Sequence, residues 1–169
     1  DSQTNAAWAN VYRAFDIISP WAVGRYGDTA GADNFKANLI APDLALTKSL
    51  GLDYMPVIFP GFSWHNLFPT SPLNQIPRNA GNFYWRQACN AVSAGCTTVY
   101  GAMFDEMDEG AAMLKLAPTA TELPAQGTFV PLNIDDTALP SDWYLRLAGA
   151  ATRMLRGDMP LTATRPSNP

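Results

Sequence analysis

Val99-Tyr100-Gly101-Ala102-Met103-Phe104-Asp105-Glu106-Met107-Asp108-Glu109-Gly110 reads as an apolar strand that ends in four carboxylates. Only 15% of the chain is charged, yet four of its 15 acidic residues sit in this one stretch. A packed strand that carries Glu106 and Glu109 to its carboxyl end suits acid/base chemistry. Like charges held close push one pKa upward, so one group serves as acid while its neighbour serves as base. The same cluster also reads as an acidic turn on a solvated surface, or as a weak calcium loop using Asp105, Asp108 and backbone carbonyls. Strand alternation would put Glu106 and Asp108 on one face. Glu106 and Glu109 converge only if the backbone turns near Met107, and Gly110 fits such a turn. Asp105 reads as a loop anchor and substrate contact rather than as a reacting group.

Working outward, helix-like and strand-like segments alternate. Helices are expected over residues 3–14, 33–50, 79–94 and about 141–155, with Ser141 as a cap and Gly51, Gly95 and Gly157 as stops. Pro42 must break or restart the second of them. Strands are expected over residues 15–19, 54–59 and 97–104, with 128–132 as a fourth. The alternation predicts an α/β fold with a parallel sheet covered by helices. Either a small open sheet or half of a (β/α)8 barrel fits; the whole barrel takes about 250 residues. In both, chemistry belongs at the carboxyl ends of the strands. Trp21, Arg25 and Tyr26 follow the first strand, Phe62, Trp64 and His65 the second, and the carboxylates the third. Residues 1–157 read as the (β/α) domain and 158–169 as a Pro/Thr-rich tail.

Composition removes several classes. A chain of 169 residues, 47% hydrophobic, has room for one real core. A net charge of −4 without a Lys/Arg cluster argues against nucleic acid as a partner. No window approaches the roughly 18 apolar residues that span a bilayer, so no membrane partner is expected. The opening Asp1-Ser2-Gln3-Thr4 does not read as a signal peptide. Cys89 and Cys96 could bridge if the chain turns at Gly95, but read better as buried thiols flanking a helix end. His65 is the only histidine, no metal-ligand spacing occurs, and no cofactor is implied.

Four blocks, taken together, resemble a known group of proteins. They are Phe59-Pro60-Gly61-Phe62-Ser63-Trp64-His65-Asn66, Ile76-Pro77-Arg78, Asn82-Phe83-Tyr84-Trp85-Arg86-Gln87, and Phe104-Asp105-Glu106-Met107-Asp108-Glu109-Gly110. In this order they resemble the glycoside hydrolase family 71 and 99-like proteins, which are (β/α)8 barrels. Family 71 members cleave α-1,3-glucan; family 99 members are endo-α-mannosidases and endo-α-mannanases. The family 99 signature, Trp-Asn-Glu-Trp-x-Glu-Gly, is matched here in its Glu-x-x-Glu-Gly spacing. The resemblance implies Glu109 as general acid/base and Glu106 as the base that takes the proton from the sugar 2-hydroxyl. That chemistry retains configuration through attack by the 2-oxygen, without a covalent enzyme ester. Phe104 and Met107 replace both signature tryptophans, and Asp105 replaces the asparagine.

The resemblance covers the carboxyl-terminal half of such a barrel. It therefore implies a longer protein, a second chain or a homodimer that completes the fold. A carbohydrate is the expected ligand and a secreted location follows from a polysaccharide substrate. Trp21, Tyr26, Phe62 and Trp64 could stack on sugar rings or plug loops against the barrel top. Arg25 could reach hydroxyls, and Arg78 reads as a tie to the acidic cluster. His65 reads equally as a substrate contact or a structural group. Trp85 and Trp143 read as core. A sugar-binding, lectin-like module and a purely structural subunit remain alternatives, because fold alone does not choose among them.

Overall fold

The computed structural model describes residues 5–169. Residues 3 and 4 of the first expected helix lie outside this range. Helix α1 covers Ala6–Tyr12, capped by the Asn5 side chain, and buries none of its residues. Strand β1 is Ile17–Ile18. The next helical run starts earlier than expected, at Thr29, because Asp28 Oδ1 accepts the Gly31 N–H at 2.6 Å. It continues through α2 (Thr29–Phe35), a π turn (Lys36–Ile40) and α3 (Ala41–Ser49). Pro42 explains the π turn. The Ala41 N–H bonds back to Lys36 O, five residues away, and this widening accommodates a ring that brings no N–H of its own.

Strands β2 (Asp53–Tyr54) and β3 (Val57–Ile58) belong to one extended segment interrupted by Pro56. Its two edges are used in turn. Odd residues face β1: the Asp53 N–H donates to Asp16 O and the Met55 N–H to Ile18 O, both at 2.9 Å. Even residues face β4 (Tyr100–Gly101): Pro56 O accepts from Tyr100 N–H at 3.0 Å and Ile58 O from Ala102 N–H at 2.9 Å. Both pairings are parallel, with Ile17 opposite Asp53 and Val57 opposite Tyr100. The order is thus β1, then β2/β3, then β4. The strands are shorter than the sequence suggested: only two or three residues of each apolar run lie in a strand, with single bonds at the flanking residues. Residues 128–132 form no strand. Pro131 cannot donate to a ladder, and Leu132–Asp135 closes into a 3-10 turn.

Helix α4 (Asn82–Ala94) packs between the sheet and α5 (Trp143–Arg156). The main cluster joins Ile58, Trp85, Ala112, Tyr144, Leu147 and Met154. Trp85 and Trp143 are buried, as their helical positions suggested. Asp142, not Ser141, occupies the cap position of α5. The tail lies against these helices: Trp85 Nε1–H donates to Thr162 O at 3.0 Å, and Arg165 stacks over Trp143. Cys89 and Cys96 are free and buried, and burial pushes the Cys96 thiol up to about 11. No described helix is long and apolar enough to cross a membrane.

Gly81 sits where α4 meets α5, with φ of 88°; an added Cβ would lie 2.5 Å from Leu147 Cδ2. Gly149, inside α5, faces open space. Gly81→Ala should therefore cost about 2–4 kcal/mol from left-handed strain plus overpacking. Gly149→Ala should gain about 0.5–1 kcal/mol from helix propensity. Urea unfolding midpoints at constant slope check both; equal effects at the two sites would refute this packing.

Candidate functional site

The carboxylates sit in a loop closed by main-chain bonds. Met103 N–H donates to Ala111 O at 3.1 Å, and Met113 N–H returns to Met103 O at 2.9 Å. Leu114 N–H adds a bond to Phe104 O at 2.8 Å. Inside this closure Glu106 O accepts from both Ala111 and Ala112 N–H, at 3.1 and 3.0 Å. The chain turns at Met107, whose N–H bonds Asp105 O and whose carbonyl accepts from Gly110 N–H. Gly110 has φ of 63° and is walled by Val130 and Ser63. The backbone thus turns where spacing required it.

The turn brings Glu106 and Glu109 within hydrogen-bonding reach of each other. Both are half-buried, while Asp105 and Asp108 are exposed. Burial, and then the charges of Glu106 and Asp108, hold the Glu109 carboxyl above its usual range. Glu106 Oε2 is enclosed without a hydrogen-bond partner. Among the described residues, none of the four carboxylates forms an ion pair. Nor do the described residues hold any group of three or more His, Cys, Asp or Glu placed to share a metal. Apolar side chains flank the pair: Phe104 is 58% exposed, and Met107 is open beside it.

Other expected site residues fall in different places. Trp64 lies edge-on to Phe62, with centroids 4.6 Å apart, and its ring covers Gly24 of the loop after β1. It therefore joins two strand-end loops. His65 Nδ1 contacts Ser71 O at 2.7 Å, inside its own loop. Tyr26 packs among Phe35, Phe59 and Phe83 and donates to Gln87 Oε1 at 2.9 Å; burial raises its pKa. Trp21 and Arg25 line a separate groove of about 740 Å³ along β1, shared with Tyr12, Phe15, Ile17 and Leu39. The lining of that groove includes Asp43 but none of the four carboxylates of the acidic loop. Arg78 is buried and bonds not the acidic cluster but the backbone just beyond it, through Nη1–H to Ala112 O at 2.9 Å.

Three residues with no assigned role in the sequence shape the site. Gln87 pairs with both polar groups of Phe59, its Oε1 accepting at 3.1 Å and its Nε2 donating at 2.8 Å. That pairing ends β3 and releases the chain into the loop over 60–77. Ser63 and Asn66 of this loop then grip the acidic loop: Ser63 N–H donates to Glu109 O at 2.7 Å. Only the nearness of Asn66 to Trp64 and His65 after a strand hinted at this.

No family model matches the chain, and no curated protein matches it. Solved structures do. The GH99 endo-α-mannosidase of Bacteroides thetaiotaomicron superimposes with a TM-score of 0.64 and 17% identity. Its complex with BIS-TRIS propane gives the same TM-score at 16% identity, over 85% of this chain. The chain spans 39% and 41% of the length of those two structures, respectively. The likeness establishes a distant GH99-like, glycoside hydrolase-like fold, and those neighbours are TIM-barrel enzymes.

A raised carboxyl pKa makes ionisation unfavourable to the fold. Its contribution is present below the ordinary carboxylate range and lost as pH rises through the raised value. Glu109→Gln cannot ionise. It should therefore melt with the wild type in acid and modestly above it at neutral pH. Thermal melts across pH check this; a less stable variant at neutral pH would mean that Glu109 has a stabilising partner.

Proposed function

We propose that this chain forms the acid-bearing part of a glycoside hydrolase acting on an α-linked glycan. The observation that carries the reading is the contact between Glu106 and Glu109 at a strand's carboxyl end, with the Glu109 pKa raised. Carboxyl groups this close leave no room for the water of an inverting enzyme, which needs about 6.5–9.5 Å. A double displacement through an enzyme ester keeps its two carboxyl groups about 5–5.5 Å apart. Attack by the sugar's own 2-oxygen needs neither gap.

The roles follow. Glu106, as carboxylate, takes the 2-hydroxyl proton while the 2-oxygen bonds to the anomeric carbon. Glu109, as acid, gives its proton to the departing glycosidic oxygen. Glu109 then takes a proton from water as that water opens the strained ring. Glu106 returns its proton to the 2-oxygen. Every proton is restored and configuration is retained. Phe104 and Met107 supply an apolar wall for the sugar's CH face. α-Mannan and α-1,3-glucan are the substrate types, and their extracellular occurrence favours secretion.

Completion of the cleft is part of this proposal. Among the described residues β1 pairs only with β2, and β4 only with β3. Ile17 is 48% exposed on the free edge, beside the apolar groove. An unpaired strand edge is an unfavourable end to a parallel sheet. Further parallel strands, from a longer chain, a second chain or a homodimer, would cover both edges and build the rest of a barrel.

Hydrolysis of α-mannan and α-1,3-glucan by the intact protein tests the reading. Glu109→Gln and Glu106→Gln should each lower kcat by about 10²–10⁴-fold with the fold retained and no loss of melting temperature. Unchanged turnover in either would remove that residue from its role. Sugar binding without turnover in the wild type would favour the lectin-like alternative.

A further inference from the structure

Glu106 and Glu109 are held by different parts of the chain. Glu106 is fixed inside its own loop, through the Ala111 and Ala112 N–H groups. Those two bonds pass over Asp108 and Glu109, and the tighter turn around this pair is closed by Gly110 N–H to Met107 O at 3.2 Å. The stronger grip comes from outside. Asn66 Nδ2 donates to Asp108 O at 2.5 Å and to Thr128 O at 2.8 Å, and Ser63 N–H to Glu109 O. Both carbonyls flanking the Glu109 residue are thus bonded to the loop over 62–66.

That loop is itself braced. Phe62 and Ile76 exchange two backbone bonds at 3.0 and 2.9 Å. Trp64 N–H donates to Gln75 Oε1 at 2.9 Å, and Asn74 N–H to Ser63 Oγ at 3.2 Å. Asparagine suits the outer position because one amide carries two N–H donors and here meets two carbonyls. An aspartate there would present only acceptors to acceptors, and an alanine nothing.

We propose that Asn66 is a positioning residue: by gripping Asp108 O and Thr128 O together, it sets the placement of Glu109 against Glu106. The catalytic meaning of that placement rests on the function proposed above; the placement itself does not. Ser63 acts through its backbone, so Asn66 is the side chain whose removal isolates the effect.

The test is a ¹³C carboxyl NMR titration of Glu109 in the intact protein, compared among wild type, Asn66→Ala and Gln75→Ala. Gln75→Ala loosens the same loop without touching the acidic one. In Asn66→Ala the Glu109 midpoint should move down towards the ordinary carboxylate value, with Gln75→Ala close to wild type. Where turnover is measurable, kcat should fall about ten- to a hundredfold in Asn66→Ala with KM little changed. Asn66→Gln, which keeps the amide, should restore part of both. Should Asn66→Ala not fold, Asn66→Ser, with a single hydroxyl donor, carries the same comparison. An unmoved Glu109 midpoint, or an equal shift in Gln75→Ala, overturns the proposal. The titration needs no substrate, so a shift in a protein that hydrolyses nothing would sink the functional reading and leave the role of Asn66 standing.

Discussion

Mutual repulsion of four carboxylates within five residues is the constraint that the rest of this structure answers. No ion pair offsets it among the described residues, so the loop is held by backbone bonds instead. Met103, Phe104 and Glu106 accept or donate across the loop's neck, and the Ser63–Asn66 segment closes it from outside. Two fully neutral devices, amide donors and a left-handed Gly110, therefore do what a lysine or arginine does in an ordinary acidic surface turn. Leaving the charges unneutralised preserves their coupling. Glu109 stays hard to ionise while Glu106 keeps an enclosed oxygen without a partner.

The scaffold behind the loop follows from alternate use of one extended segment. Residues 53 and 55 bond β1, and 56 and 58 bond β4, so a single stretch holds three strands parallel. Gln87 then takes over the backbone of Phe59, and the chain leaves the sheet toward Ser63 and Asn66. Arg78, buried beneath, fixes Ala112 on the other side of the acidic loop. The likeness to GH99 enzymes, at 16–17% identity, is a likeness of fold.

Much of this was legible in the sequence, for definite reasons. Alternating apolar runs gave the parallel arrangement, and Gly95 and Gly157 stop α4 and α5 in left-handed conformations. The Glu-x-x-Glu-Gly spacing pointed to a turn, and the turn is there. Strand lengths are less legible, because an apolar run looks the same in sequence whether or not it finds a ladder partner. Residues 128–132 read as a strand for that reason, although Pro131 cannot donate to a ladder. Tyr26 looked like a loop aromatic, but the Phe35, Phe59 and Phe83 rings that enclose it come from three distant segments. The role of Asn66 depends on carbonyls 42 and 62 residues away, which no local pattern encodes.

The anomeric configuration of the first-formed product tests the account's central claim most directly. It can be read by ¹H NMR within the first minutes of hydrolysis of an α-linked oligosaccharide by the intact protein. Two carboxyl groups in contact predict an α product, and no turnover of a substrate lacking the 2-hydroxyl at the cleavage site. A β product would require a water between the carboxylates and would contradict the account, as would turnover of the 2-deoxy substrate.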